Sequence, residues 1–192
     1  MFKTIRNAWK IEDLRHKILF TLFILLLYRL GNAVPVPFIN TDLLGQYFTS
    51  VRNTVLGLIN VMSGSAFSQA TIFALSIQPY INASIIIQLL CIAIPALERL
   101  SKDGGEEGKR KLASITRYAT VLIGVIQGFA FYVLIRNNSL LNDNGSTVWA
   151  AIVIVLTFGA GSALIMWLAE QITEFGIGNG ISMILFASIV SR

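Results

Sequence analysis

At 192 residues, 55% hydrophobic and 13% charged, the chain is too apolar for an ordinary soluble domain, in which about a quarter of residues are charged. Its mean hydropathy is +0.70, and its apolar residues cluster into runs that reach the ~20 residues needed to cross a bilayer. The formal net charge of +5 does not mark a nucleic-acid binder, because the positive charge lies in groups that flank those runs.

Residues 1–16 read as a cytoplasmic interfacial segment. Phe2, Ile5 and Trp9 share one helical face, with Lys3, Arg6, Asn7 and Lys10 mainly elsewhere. A short helix lying in the membrane interface fits this pattern, and a frayed tail fits it equally. A first span is predicted over 17–33. It has no convincing small-residue cleavage site, so it reads as an uncleaved span rather than a signal peptide. Arg29 falls near its far end, where snorkelling to headgroups explains it more simply than a functional role does. The VPVP at 34–37 cannot continue a helix and marks the exit.

An external loop is predicted over 38–53. Residues 55–70 are half-polar, too wet for lipid and too apolar for an ordinary loop. A second span follows over 71–97, with Pro79 inside it. Backbone interrupted by Gly and Pro at membrane depth is tolerated only where protein buries it or where it lines a watery cavity, a first pointer to a conduit. Residues 98–111 form a charged loop. Its glycines do not have phosphate-loop spacing, and no strand precedes them.

A third span is predicted over 116–135 and a fourth over 148–168. The fourth carries Gly159, Ala160, Gly161, Ser162 and Ala163, which permit close helix packing. Residues 169–182 read as a tight turn in which Gln171, Asn179 and Ser182 serve backbone groups. Glu170 and Glu174 have no basic neighbours in sequence, so they are either solvated or await a partner's Lys or Arg. A fifth apolar run starts at Gly180 and is short of a span at Arg192, so the chain reads as the N-terminal part of a longer protein.

Basic residues alternate between segments. Lys3, Arg6, Lys10, Arg15 and Lys17 precede span one, and Arg99, Lys102, Lys109, Arg110, Lys111 and Arg117 lie between spans two and three. The segments on the other side hold only Arg52 and Arg136. The positive-inside rule then puts the N-terminus in the cytoplasm.

No catalytic chemistry is legible. His16 is the single histidine, Cys91 sits in an apolar run as a small core residue, and no His/Cys/Glu set has metal-ligand spacing. The spans hold no carboxylate for a proton relay. No enzyme activity, cofactor or metal is expected.

Two long stretches, ATIFALSIQPYINASIIIQLL (70–90) and MWLAEQITEFGIGNGIS (166–182), resemble the most characteristic segments of the SecY family, the channel subunits of the bacterial Sec translocase. RLGNAVPVPFIN (29–40), NVMSGSAFS (60–68) and GEEGKRKLASITRY (105–118) match as well, and the resemblance runs along essentially the whole chain. Departures are small: Ala169 and Ser65 stand where Gly is usual, and Leu185 where Ile is common.

The resemblance implies an all-α polytopic transmembrane helix bundle. Residues 17–192 would form one half of a pseudo-symmetric clamshell with a short plug helix. It implies a plug over 55–70, carried by Asn60, Val61, Met62, Ser63, Gly64, Ser65, Ala66, Phe67 and Ser68. It implies a pore ring of Ile77, Ile81, Ile181 and Leu185. Each pair is four residues apart and so shares a helix face. That spacing alone does not separate a ring from ordinary packing; the motif does. Spans two and three would form one side of a lateral gate, with Asn82, Ser84 and Gln127 as polar groups within apolar helices.

The function implied is a pore passing unfolded preproteins across the bacterial cytoplasmic membrane and releasing membrane segments sideways. Implied partners are SecE, SecG, a SecA motor or ribosome, signal sequences and membrane lipids, without nucleic-acid specificity. A solute transporter with a discontinuous pore helix also explains Pro79 and the polar lead-in, but it calls for coordinating groups at mid-membrane. A scaffold for membrane-complex assembly is a further alternative.

Overall fold

The computed structural model describes residues 11–102, 104–142 and 148–190. The interfacial helix expected around Phe2, Ile5 and Trp9 lies outside them. Within the described residues the chain is helices and turns, with two isolated β-bridges, Pro35 to Thr71 and Ile39 to Leu141, and no strand.

Helix α1, Glu12–Gly31, follows an extended Ile11 and carries Glu12 and Asp13 in its first turn and Arg29 in its last. Both placements suit the helix dipole. Only Thr21, Ile24 and Tyr28 are buried, one narrow face at i, i+3 and i+7. Helix α2, Thr41–Ser50, occupies the expected external loop. Its start is fixed by Asn40, whose side-chain oxygen accepts from the N–H groups of Asp42 and Leu43 at 3.2 and 3.1 Å, a standard N-cap. Leu44 and Phe48, four apart, bury its inner face.

After the short α3, Val55–Met62, the chain turns without regular helix until α4, Gln78–Ala93. The continuous second span expected over 71–97 is thus built in pieces. Pro79 falls in the first turn of α4, where its missing N–H costs nothing and its fixed φ suits helix initiation. It starts the helix rather than interrupting one. Ile94, held extended by the following proline, ends α4. Helix α5, Pro95–Lys102, departs at 103°.

Much of the charged stretch expected to be a solvated loop is helical. α5 takes its first part, and α6, Gly105–Asn137, takes the rest. The two pack so closely that a side chain at Gly108 would collide with the Leu100 carbonyl. Helix α7 is Val148–Phe175 and α8 is Gly180–Val190.

Helices α6 and α7 are long and apolar enough to span a bilayer, and the bent α4–α5 pair qualifies as a third. Large apolar side chains such as Leu122, Phe129 and Leu156 project outward along them, the inverse of a water-soluble surface. α6 and α7 pack at small residues, with Gly124 facing Ser162 and Gly159 facing Val125.

Two apolar cores result. One joins Leu44, Phe48, Phe67, Phe131, Ile154 and Phe158 and encloses the turns after α3. The other joins Ile24, Tyr28, Phe73, Ile77, Ile165, Ile172 and Ile184 where α1, α7 and α8 meet.

Candidate functional site

The irregular backbone from Ser63 to Ile77 is held by its own polar groups. The Asn60 side chain accepts from the Ser68 N–H at 2.9 Å, and Ser63 Oγ accepts from the Phe67 N–H at 3.2 Å while donating to the Asn60 carbonyl at 3.0 Å. Ser68 Oγ donates to the Ser65 carbonyl at 2.9 Å. Four residues, Gly64, Ser65, Ala70 and Ser76, have φ between 45° and 68°, left-handed values that fold the segment tightly. Val36 and Ile72 donate across the Pro35–Thr71 bridge to the carbonyls of Ala70 and Val34. Asn60, Ser63 and Ser68 suit this segment because each meets a turn's hydrogen-bonding need without taking much room.

Burial divides the expected plug residues in two. In α3, Val55 and Leu58 are 71% and 66% exposed. Beyond it Ser63, Ala66, Phe67 and Ala70 are buried. Phe67 is the anchor: its ring lies 5.2 Å from that of Phe48 and 4.2 Å from that of Phe131, and Phe131 in turn lies 5.2 Å from Phe158. Asn60, Val61 and Met62 form the last turn of α3, and Gly64, Ser65 and Ser68 lie half-buried in the turns around this anchor.

The run 71–77 then lies against α7, where a side chain at Gly161 would collide with the Ile72 carbonyl. Phe73 stacks on Tyr28 at 5.8 Å, with the rings 3° from parallel. The Tyr28 hydroxyl meets Ser188 Oγ of α8 at 2.6 Å. These contacts deliver Ile77 to the head of α4. Ile77 is buried in the second core, and Ile81, Ile181 and Leu185 pack against that same core. The four thus border one apolar core, from the head of α4 and from α8, segments distant in sequence.

Asn179 positions the second pair by capping α8, its side-chain oxygen accepting from the Ile181 N–H at 2.9 Å. Thr21 of α1 holds the preceding turn by accepting from the Ile177 N–H at 3.1 Å. Thr173 accepts from the Gly180 N–H at 2.9 Å.

Asn82, Ser84 and Gln127 are not joined by hydrogen bonds to one another. Asn82 is exposed. Ser84 receives a long contact, 3.4 Å, from Gln88 of its own helix. Gln127 faces a largely apolar cavity of about 240 Å³ with Leu56 and Ile59 of α3 and Gln78 of α4.

One polar contact escaped sequence reasoning. Arg117 Nε donates to Glu170 Oε1 at 2.9 Å, joining the N-terminal half of α6 to the last turns of α7. The signal was available: in antiparallel neighbours, the basic start of one span and the acidic end of the next reach the same depth.

The SecY family model matches residues 71–192. The chain is 46% identical over 195 residues to "Protein translocase subunit SecY" of Bacillus licheniformis, covering 100% of this chain and 44% of that protein. To the protein of the same name from Thermus thermophilus it is 43% identical over 194 residues, covering 99% of this chain and 44% of the other. It thus spans under half the length of these relatives. Among solved structures it resembles a chain of "The structure of a protein conducting channel", with a TM-score of 0.62 at 19% identity, covering 92% of this chain and 36% of that one. "Sec61 in the Canine ribosome-channel complex from the endoplasmic reticulum" gives the same values. At that identity the likeness speaks for the fold.

Proposed function

The chain belongs to the SecY family, and on that premise we propose that it forms one wall of a protein-conducting channel in the bacterial cytoplasmic membrane. Unfolded preproteins pass through this channel, and membrane segments leave it sideways into lipid. The observation that carries the reading is the apolar cluster of Ile77, Ile81, Ile181 and Leu185 beside an irregular, self-bonded backbone segment. A constriction lined by branched aliphatic side chains dewets, so it stops ions without a charged barrier. Such side chains change rotamer around a passing polypeptide and offer no hydrogen bond that would trap it. A transporter site would place coordinating polar groups where this cluster is apolar.

In this reading α3 with the turns after it is the plug. α4 and α6 form one side of the lateral gate, with Asn82, Ser84 and Gln127 as its polar groups. The N-terminus is cytoplasmic. SecE, SecG and a SecA motor or ribosome complete the machine. The chain acts as a conduit, not a catalyst.

The test is Ile81→Asn in the full-length protein, recorded as single-channel current in planar bilayers without substrate. The lipid-facing Ile126→Asn serves as control. The expected result is a raised resting ion conductance for Ile81→Asn alone. Equal tightness in both variants would remove Ile81 from the seal.

A further inference from the structure

Where α1 ends, the chain builds a cavity of about 290 Å³ lined by Arg29, Asn32, Ala33, Gly64, Ser65 and Gln69. Its lining offers a guanidinium, two side-chain amides and a hydroxyl, and no carboxylate. Arg29 has no ion-pair partner among the described residues. Asn32 is 8% exposed, and both its Nδ2 and Oδ1 are buried without a hydrogen-bond partner. A buried amide left unpaired on both atoms is unusual, because it forfeits its hydration for nothing.

The surroundings say what kind of molecule this cavity suits. Leu22, Leu26 and Arg29 follow at i, i+4 and i+7, so they form one stripe along α1, and Ala33 follows just past its end. Leu22 and Leu26 are 54% and 55% exposed. The stripe is therefore apolar along the helix and cationic at its end, where the cavity opens. An amphiphile with an anionic head matches this sequence of chemistries, whereas a free anion uses only its last step.

We propose that this is a phospholipid site. The phosphodiester sits in the cavity, accepting hydrogen bonds from Arg29, Gln69 and the Asn32 amide, and an acyl chain lies along Leu22 and Leu26. Arg presents a planar fork of donors matched to phosphate oxygens. A rotation of the Asn32 side chain toward the cavity gives its Nδ2 a phosphate oxygen and its Oδ1 a headgroup hydroxyl. Because Gly64, Ser65 and Gln69 supply the opposite wall, the bound headgroup ties α1 to the segment after α3. The site requires a membrane but does not rest on the channel reading.

The full-length protein is reconstituted into nanodiscs of phosphatidylglycerol mixed with phosphate-free galactosyl diacylglycerol. Retained lipid is then counted by native mass spectrometry. The expected result is selective retention of one phosphatidylglycerol. Arg29→Gln removes a charge-assisted contact, and retention falls about tenfold. Asn32→Asp, which keeps the shape but sets a carboxylate against the phosphate, weakens it also. Ala33→Leu, which fills the mouth and leaves Arg29 in place, decides the matter if the charge variants fail to fold. Arg136→Gln, at the same membrane face but outside the cavity, leaves retention unchanged.

Parental retention in Asn32→Asp and Ala33→Leu overturns the proposal. So does equal retention of galactolipid, or displacement by millimolar glycerol 3-phosphate, which shows an anion site with no acyl component. A photo-crosslinker at Gln69 that captures another protein segment instead of lipid assigns the cavity to a protein interface, and also overturns it.

Discussion

Ser76 carries two costs in one residue, immediately before Ile77. Its φ is 50°, a left-handed value that disfavours any side chain but Gly. Its hydroxyl is buried and unpaired. Both costs vanish in Ser76→Gly, offset in part by the greater freedom of Gly in the unfolded chain. The net expectation is stabilisation by about 1 kcal/mol. Phe67 is the opposite case, a buried ring touching two others. Phe→Ala in a core costs about 3–5 kcal/mol. In a bilayer the transfer part shrinks because lipid is itself apolar, leaving mainly lost packing, about 2 kcal/mol. Thermal unfolding in detergent should move up for Ser76→Gly and down for Phe67→Ala. Two shifts of the same sign would refute the account of the segment between them.

At the scale of elements, the segment 55–77 is a half-buried short helix joined to a buried anchor. Small weakly polar residues and a following span were legible as a departure from both lipid-facing and loop sequence. The division at Ser63 was not, because it depends on Phe48, Phe131 and Phe158 arriving from other helices. If this segment is the plug proposed above, the better anchored Phe67 end stays while α3 moves. A cysteine pair tethering α3 to α2 should therefore block preprotein passage in reconstituted vesicles until it is reduced. A second pair tethering the turns at Ala66 to α6 should leave passage intact. If the second tether blocks as fully as the first, the moving unit is larger than α3.

At the scale of the molecule, the positive-inside rule predicts the orientation from charge. The basic residues of α5 and the start of α6 lie on one side and α2 on the other, and Arg117–Glu170 joins α6 to α7 on the basic side. In intact cells, a membrane-impermeant maleimide should label Thr49→Cys and spare Ser101→Cys, both exposed positions. Lysis should make both reactive. The reverse pattern would invert the topology.

The apolar runs, their order, the alternation of basic segments and the motifs at 70–90 and 166–182 were determined by sequence alone. Hydropathy, charge and local spacing are properties of neighbouring residues, and they suffice to establish a helical membrane protein and its family likeness. Helix α2 was within reach of the same reasoning, since the Asn40 cap and the Leu44–Phe48 pair are local, but the polar surroundings masked it.

The remainder comes from packing between segments. Pro79 starts a helix because the residues before it are held in turns against α7. Glu170 has a partner because α6 and α7 run antiparallel at one depth. Asn32 lines a cavity because the turns after α3 come to lie opposite the end of α1. Ile77, Ile81, Ile181 and Leu185 border one core because Tyr28 joins Phe73 to Ser188 across α1, α4's lead-in and α8. Each is a relation between residues far apart in the chain, fixed by packing across space and invisible to spacing within one segment.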